Sequence, residues 1–431
     1  MTLLANRRHG EPDLARSIQS WRVAARIIIV LALILEMQSP RLVGNTRMSL
    51  AVFVLGACAL LVFRARRVIF NLRLLFCWPL LALFAYCVWC LFSLIWSATP
   101  SETLLQAGLL IVGLLVAISY AEIPPVVFVQ EVVRVAIILA IVSWLMVPVL
   151  PHVAVLPDIT WRLNGPMQHS QRLALVAGFA LLLGLAMMLR SVPFLASRRR
   201  ELGALVLLGL TLAATQTRAN TAFVLIICVI LVFFRIPGWT KIFAVLAAGL
   251  IIWYIVANFD ELLASVGRDG SNTMTLTGRT VIWTNAISMI EVHPVFGYGF
   301  ASFFSPLTAH FFSSGYVAPH AHNTWINATF ETGLVGSAIL SVFLLGALLS
   351  DRGSKLNSGY VWPTVLFAML CGLMGIVYGG KIGTFWVLIT IMVAQATHQR
   401  LALKRGAAFD ASELLLTPRR RKAMSNSRIR R

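Results

Sequence analysis

The sequence predicts an all-α protein that crosses a membrane many times. Of its 431 residues, 59% are hydrophobic and only 12% are charged, whereas soluble proteins carry about 25% charged residues. Apolar runs of about 17 to 25 residues, the length that spans a bilayer as a helix, recur along the chain. We therefore expect one polytopic membrane domain rather than several soluble domains.

Apolar runs in order along the chain predict about twelve transmembrane helices. They lie near 24–38, 48–63, 74–96, 104–120, 135–150, 172–189, 202–217, 220–234, 242–258, 323–349, 360–378 and 382–398. The first run follows a polar N-terminal stretch, which indicates a retained span rather than a cleavable signal peptide. An even number of spans places both termini on the same side of the membrane.

Lys and Arg residues predict which side that is. On this arrangement 28 of the 36 Lys and Arg residues lie on the side of the termini. Such a bias is typical of cytoplasmic segments. We expect a cytoplasmic segment at 1–23, a membrane domain at 24–398 and a basic cytoplasmic tail at 399–431. The net charge of +20 then reflects orientation and anionic lipid headgroups, and no nucleic-acid partner is expected.

Two predicted periplasmic loops are longer than simple turns. They cover about 151–171 and 259–322, and loops of such length are usually functional or disordered. Within the second, "GRTVIWTNAISMIEVHP" predicts a short amphipathic helix with Ile282 and Ala286 on its apolar side. The helix should stop before Pro294. Trp283 could anchor it at the membrane interface.

Polar residues on this outer side are suited to a lipid-linked diphosphate. Guanidinium groups bind phosphate through two parallel hydrogen bonds. A neutral imidazole can take the proton of a hydroxyl group near neutral pH. The candidate residues are Arg162, His169, Arg218, Arg279, His293, His320, His322 and Asn323.

Structural alternatives exist for the arginines and for the glycines. Arg218 could cap the C-terminus of the seventh span. Arg279 could pair with Asp269 or Glu291. The Gly297-Tyr298-Gly299 stretch is too short for a nucleotide loop and favours a tight turn.

Structural alternatives also exist for the histidines and Asn323. His293 could serve a turn before Pro294, and His320 and His322 could cap the tenth span. Asn323 is a strong N-cap residue whether or not the site is catalytic. A zinc site at the two histidines lacks a convincing third ligand, so no metal or other cofactor is predicted.

Four segments resemble the O-antigen ligase/polymerase superfamily of bacterial envelope glycan enzymes. They are "WRLNGPMQHSQRLA", "TQTRANTAF", "GRTVIW…HPVFGYGF" and "HAHNTWINATFETGLVG", in that order. Gln171 stands where the family usually has Asn, and Thr217 stands where Ser precedes Arg. The "APHAHN", "FETGLVG" and "GYGFASFF" elements look most similar to the ExoQ-type exopolysaccharide-production polymerases.

The resemblance implies a twelve-span fold and transfer of a glycan from undecaprenyl diphosphate to an acceptor sugar, with inversion and without a metal. It implies that Arg218 and Arg279 hold the diphosphate and that His322 activates the acceptor hydroxyl. Arg162, His169, His320 and Asn323 are expected to assist in substrate binding. A flippase and a chain-length co-polymerase are the expected protein partners.

Four functions remain open at this point, and one of them, a structural scaffold subunit, predicts that Arg279→Ala and His322→Ala have no effect. A polymerase would join one lipid-linked repeat unit to another, whereas a ligase would pass the finished glycan to lipid A–core. A transporter of lipid-linked sugar would favour charges near the bilayer midplane and internal repeats. The predicted spans are almost free of internal charge, with Arg134 expected near a helix end, which favours an enzyme at the membrane surface.

Overall fold

A computed structural model of the chain gives a mostly helical structure. It describes residues 11–37, 46–156, 161–167, 169–235, 237–239, 241, 279–311, 318, 320–350, 359–375, 378 and 380–404. The apolar run predicted at 242–258 and most of the basic tail lie outside these residues.

The longer elements follow the predicted apolar runs. In chain order they are α1 Glu11–Ile34, α2 Thr46–Phe63, α3 Ala65–Asn71, α4 Leu80–Phe92, α5 Pro100–Ser119, α6 Pro125–Val149, α7 Pro151–Ala154, β1 Val155–Leu156, β2 Arg162–Leu163, α8 Ser170–Leu189, α9 Arg198–Ala214, α10 Arg218–Phe233, α11 Arg279–Val292, α12 Thr324–Leu348, α13 Val361–Cys371 and α14 Thr384–Lys404. Short 3₁₀ turns cover Leu72–Phe76, Ser93–Ile95 and Pro306–Phe311. The two strands pair antiparallel, with Val155 opposite Leu163.

Several helices are long and apolar enough to cross a membrane. Within the described residues there are five such helices, or six if α2 and the segment Ala65–Phe76, bent by 76°, count as one broken span. Large apolar side chains such as Val62 and Phe63 on α2 are more than three-quarters exposed, as expected for a surface that faces lipid. The chain is therefore a multi-pass membrane protein, while the number twelve stays a prediction.

Helix α6 begins ten residues before the apolar run at 135–150 that predicts it. Its first turns carry Glu131 and Arg134, which interrupt the apolar run in the sequence. Glu131 is fully buried because it pairs with Arg134 and with Arg26 of α1. Arg134 thus lies inside the helix and not near its end, because its charge is paired there.

Helix α8 is the central element of the bundle. It is the most buried of the candidate spans, and it packs against α6, α9, α10 and α13. Its N-terminus, at Ser170, therefore lies at one end of the bundle with neighbours on several sides. Helix α14 packs on the other side of the core, against α1, α5 and α13.

A second, smaller hydrophobic core lies beneath α11 and the loops that follow it. Ile282 and Ala286 of α11 pack there with Phe303, Ala321 and Phe330. Trp283 joins the edge of this core, so it does not serve as a free interfacial anchor. The predicted helix is present, and Ile282 and Ala286, which were predicted on its apolar side, pack on protein.

Helix α12 is broken at Gly333, where the backbone has φ +69° and ψ −175°. An unbroken helix would form hydrogen bonds from Leu334 to Phe330 and from Val335 to Glu331, and here these four groups form hydrogen bonds with the loop at 294–299. Tyr298 N–H donates to Phe330 O at 2.9 Å, and Leu334 N–H donates to Pro294 O at 2.8 Å.

The same loop contains Gly297 and Gly299, which the sequence predicts to form a tight turn. Both have positive φ, and a Cβ on Gly297 would lie 2.6 Å from Phe330 O. A Cβ on Gly333 would lie 2.0 Å from Val295 O. The glycines therefore allow two backbone segments to approach each other, and they make no nucleotide-binding loop.

Candidate active site

The segment between Ala321 and Asn323 is held in a fixed conformation before α12. His322 has φ +53°, an uncommon value for a residue with a side chain. Asn323 is the N-cap of α12, and its Oδ1 accepts from the N–H groups of Trp325 at 2.8 Å and Ile326 at 3.1 Å. Its Nδ2 donates to Leu373 O at 3.2 Å. The cap role predicted for Asn323 is therefore observed.

Two side chains form hydrogen bonds with the backbone N–H and C=O groups of Ala321. Asn327 Oδ1 accepts from Ala321 N–H at 3.1 Å, and the Trp283 indole N–H donates to Ala321 O at 2.8 Å. Trp283 lies one helical turn after Arg279 on α11. The two bonds therefore fix His320 and His322 relative to the helix that carries Arg279.

His320 and His322 lie against each other, with ring centroids 4.2 Å apart in an edge-on arrangement. His320 Nδ1 accepts from the backbone N–H of His322 at 3.1 Å. The proton of neutral His320 therefore resides on Nε2. His322 Nδ1 is buried and has no hydrogen-bond partner among the residues that the structure describes.

The N-termini of α12 and α8 and the first described residue of α11 lie near His322. Asn323 caps α12, Arg279 is the first described residue of α11, and His169 is the N-cap of α8. The charges of Arg279 and His169 both act on His322. The first N–H groups of α12 are already paired, with Gly372 O and Asn323 Oδ1, so the features here that suit an anion are the Arg279 charge and the partial positive charge of the helix ends.

The same surroundings keep both histidines neutral. Burial, followed by the charges of Arg279 and His169, lowers the pKa of His322 to about 4. Burial, followed by the charges of His322, Arg172 and Arg279, lowers the pKa of His320 to about 3. At neutral pH both imidazoles can therefore accept a proton. The ring nitrogen that has no hydrogen-bond partner among the described residues is His322 Nδ1.

The end of α13 completes the surroundings of these residues. Arg279 Nη1 lies 3.7 Å from the Met374 sulfur, a weak contact for a guanidinium group. Thr324 N–H donates to Gly372 O at 2.7 Å, and Gly375 O accepts from the Thr324 hydroxyl at 3.0 Å. The sequence gives no hint that the turn after α13 contacts the histidine segment.

Arg279 does not make the pairing with Glu291 that the sequence leaves open. Glu291 lies twelve residues further along α11, about 18 Å away at 1.5 Å per residue. Asp269 lies outside the described residues. The charge of Arg279 lowers the pKa of His322, so Arg279 lies near the histidine segment.

The positions of Arg218 and Arg162 connect them less closely with His320 and His322. Arg218 is the exposed first residue of α10, four residues after the preceding helix ends at Ala214. Arg162 lies half-buried in β2. Neither is among the groups whose charge shifts the pKa of His320 or His322.

His293 lies exposed at the end of α11, where its ring makes an edge contact with Tyr298 at 4.9 Å. This position agrees with the alternative, left open by the sequence, that His293 serves a turn before Pro294. No group of three or more His, Cys, Asp or Glu residues in the described part of the chain has the arrangement of a metal site.

Arg172 is a residue of the site that sequence reasoning did not single out. It follows the N-cap of α8, its charge acts on His320, and its Nε lies 3.3 Å from Glu36 at the end of α1. Glu36 also accepts from Thr384 N–H at 3.2 Å. The signal in the sequence was an arginine three residues after His169, inside a segment already chosen for its polar content.

Comparisons with known proteins cover the segment that carries Arg218, Arg279 and the two histidines. Residues 203–341 match the family described as O-antigen ligase. This range includes Arg218, Arg279, His320 and His322. The resemblance seen in the sequence is confirmed.

The chain is also similar to the exopolysaccharide production protein ExoQ of Rhizobium meliloti (strain 1021). The two are 32% identical over 99 residues, which is 21% of this chain and 22% of that relative. The match thus spans about a fifth of each protein. Together the two comparisons support an O-antigen ligase and ExoQ-like family.

Proposed function

We propose that this protein is a glycosyltransferase of the bacterial inner membrane that polymerises undecaprenyl-diphosphate-linked repeat units during exopolysaccharide synthesis. The observation that carries the proposal is a neutral His322 with an open, buried Nδ1 beside Arg279. The pair lies inside the segment that matches the O-antigen ligase family. The ExoQ relative supports exopolysaccharide as the product.

In this proposal His322 is the general base. The acceptor hydroxyl oxygen attacks the anomeric carbon of the donor, and His322 Nδ1 takes the hydroxyl proton. The bond between that carbon and the phosphate oxygen breaks, and its electron pair leaves with undecaprenyl diphosphate. Attack from the face opposite the leaving group gives inversion. Removing such a base typically lowers the rate about 10² to 10⁴-fold.

Arg279 and the helix N-termini stabilise the departing diphosphate. Negative charge grows on the bridging oxygen as it leaves, and fixed cations offset it without reorganisation. We assign Arg218 a second grip on the diphosphate, on the basis of the family resemblance. Arg162, His169 and His320 line the substrate-binding surroundings in this proposal, and Asn323 fixes the backbone beside the base.

The proposal is tested by complementation in a strain that lacks the gene. The variants His322→Ala, Arg279→Ala and Arg218→Ala are expressed, their membrane levels are measured, and secreted polysaccharide is sized on gels. We expect normal protein levels with loss of long polymer. Loss of one such electrostatic group should lower the rate about 10² to 10³-fold.

Matched controls separate chemistry from folding. His293→Ala removes an exposed histidine of the same loop, and Arg199→Ala removes an exposed arginine of α9. Both should make polymer of normal length. Wild-type polymer from His322→Ala at normal membrane levels would refute the assignment of the base.

A ligase is the second candidate, because the matching family is described as O-antigen ligase. A ligase would use the same donor chemistry with lipid A–core as acceptor. Lipopolysaccharide from the same strains distinguishes the two. Loss of its glycan with secreted polymer unchanged would establish the ligase in place of the polymerase.

A transporter is the third candidate, and it would move lipid-linked sugar without consuming it. Purified protein in liposomes tests this by counter-flow of a labelled donor.

A flippase and a chain-length co-polymerase would supply donor and set product length for a polymerase. Cross-linking in cells that express all three would test these partnerships.

A further inference from the structure

A cluster of cationic charge lies between the middle of α1 and the first turns of α6. Arg22 and Arg26 of α1 face Glu131 and Arg134 of α6. Arg26 Nε lies 2.6 Å from Glu131 Oε2, Arg22 Nε lies 3.7 Å from Glu131 Oε1, and Arg134 also bonds Oε1. We name these four residues the arginine cluster.

The cluster has more positive than negative charge. Three guanidinium groups share one carboxylate, which leaves a formal excess of two positive charges. Both oxygens of Glu131 are already occupied. The Arg22 Nε is buried and has no hydrogen-bond partner among the described residues. Arg22 is partly exposed and makes only a long ion pair with Glu131, so an additional anion would offset the excess of positive charge and stabilise the cluster.

The arginine cluster is distant from the candidate active site. Arg134 Nε donates to Phe194 O at 2.9 Å, and Phe194 follows the C-terminus of α8. The histidines lie near the N-terminus of that helix, whose 20 residues span about 30 Å. The cluster is therefore a separate site, at the other end of the bundle.

An apolar stripe on α1 continues from the cluster. Val23, Ile27 and Val30 are spaced by four and three residues, so they lie on one helix face. Their side chains are 46%, 44% and 46% exposed, and Arg26, itself half exposed, lies three residues after Val23. The surface thus combines a cationic end with an apolar track along the helix.

We propose that the arginine cluster and this stripe bind one anionic phospholipid. The phosphate of its headgroup would contact Arg22 and Arg26, and an acyl chain would lie along Val23, Ile27 and Val30. The stripe favours a lipid over free phosphate, because an inorganic ion would leave these apolar side chains uncovered. Basic pockets between membrane helices are suited to such headgroups.

The test measures lipid binding by the full-length protein in detergent, through native mass spectrometry and thermal unfolding. The probes are phosphatidylglycerol, phosphatidylcholine and inorganic phosphate. We expect phosphatidylglycerol to bind and to raise the unfolding temperature, with little effect from the other two. Arg22→Gln should weaken phosphatidylglycerol binding about tenfold, the loss expected for one charge-assisted contact.

Arg22→Gln is chosen because Arg22 makes the most distant contact with Glu131, so that Glu131 remains paired in the variant. Arg22→Lys, which keeps the charge, should bind at an intermediate level, and Arg66→Gln on exposed α3 should bind as the wild type. Equal stabilisation by phosphatidylcholine or by inorganic phosphate would overturn the proposal. So would unchanged phosphatidylglycerol binding by Arg22→Gln. None of these outcomes depends on glycosyl transfer.

Discussion

His322 has a pKa far below that of a free histidine because it is buried beside Arg279. A low pKa makes a weak base, but in the proposed function the bound donor would change this environment. A bound diphosphate brings about two negative charges to the same place, and opposite charge favours the protonated imidazole. The donor would therefore strengthen the base that it requires, which couples donor binding to removal of the acceptor proton.

The pH dependence of transfer tests this coupling. His322 must be neutral to act, so kcat/KM should rise as pH increases through about 4 and then level off, because kcat/KM reports the free enzyme. The acid limb of kcat should lie at higher pH, since the bound diphosphate raises the pKa of His322. Purified protein with a lipid-linked donor is assayed between pH 3.5 and about 8.

Arg279→Gln provides the matched comparison. Removing this cation raises the pKa of His322, so the acid limb of kcat/KM should move to higher pH while the rate falls. A wild-type limb near the ordinary histidine value of about 6.5 would contradict the burial of His322. An unchanged limb in Arg279→Gln would show that Arg279 does not act on it.

At the scale of elements, α11 and α12 are joined through the Ala321 peptide groups. Trp283 holds the carbonyl and Asn327 holds the N–H, so the base and Arg279 keep a fixed relation. The break at Gly333 has a similar consequence for the loop at 294–299, which exchanges hydrogen bonds with the two halves of α12. These backbone contacts bring separate sequence motifs together at one end of the bundle.

Trp283→Phe tests the first of these links. The ring can still pack in the small core, but Ala321 O loses its donor. We expect transfer to fall about 10 to 100-fold, as displacement of a catalytic group by about 1 Å can do, with the acid limb of kcat/KM shifted. Trp239→Phe on the exposed surface is the control. Wild-type kinetics in Trp283→Phe would remove the positioning role.

Gly333→Ala tests the break in α12. The added Cβ would lie 2.0 Å from Val295 O at a positive φ, so the loop at 294–299 must move. We expect a loss of stability of about 1 to 3 kcal/mol and reduced polymer. Gly203→Ala on α9, where a Cβ would meet nothing within 4 Å, should be neutral or stabilising. Thermal unfolding in detergent measures both.

At the scale of the whole molecule, the two ends of the bundle have different characters. One end carries the histidines, Arg279 and the small core, and the other carries the arginine cluster. A protein with this division can bind its donor headgroup at one surface and an anionic lipid at the other. The distribution of Lys and Arg predicts that the histidine end faces the periplasm.

Cysteine labelling tests this orientation. In a variant without native cysteines, His293→Cys and Arg66→Cys each place one thiol at an exposed position. A membrane-impermeant maleimide on spheroplasts should label His293→Cys and leave Arg66→Cys unlabelled until the cells are lysed. The reverse pattern would invert the topology and would exclude a periplasmic reaction.

The sequence by itself determined the membrane class and the positions of most described helices, because hydropathy is a local property of the chain, whereas the outer location of the polar residues stays a prediction. Asn323 as N-cap and the amphipathic helix at Arg279–Val292 were readable for the same reason. The start of α6 was misplaced because two of the three partners of Glu131, Arg22 and Arg26, come from α1 and lie more than 100 residues away.

Only the tertiary structure decided which polar residues meet. It brought Arg172, His169 and Arg279 around the two histidines and placed Arg218 and Arg162 outside the groups that shift their pKa. It also opposed Gly297 and Gly299 to the broken helix at Gly333. These relations depend on helix packing and on backbone contacts between distant segments, and no pattern of neighbouring residues contains them.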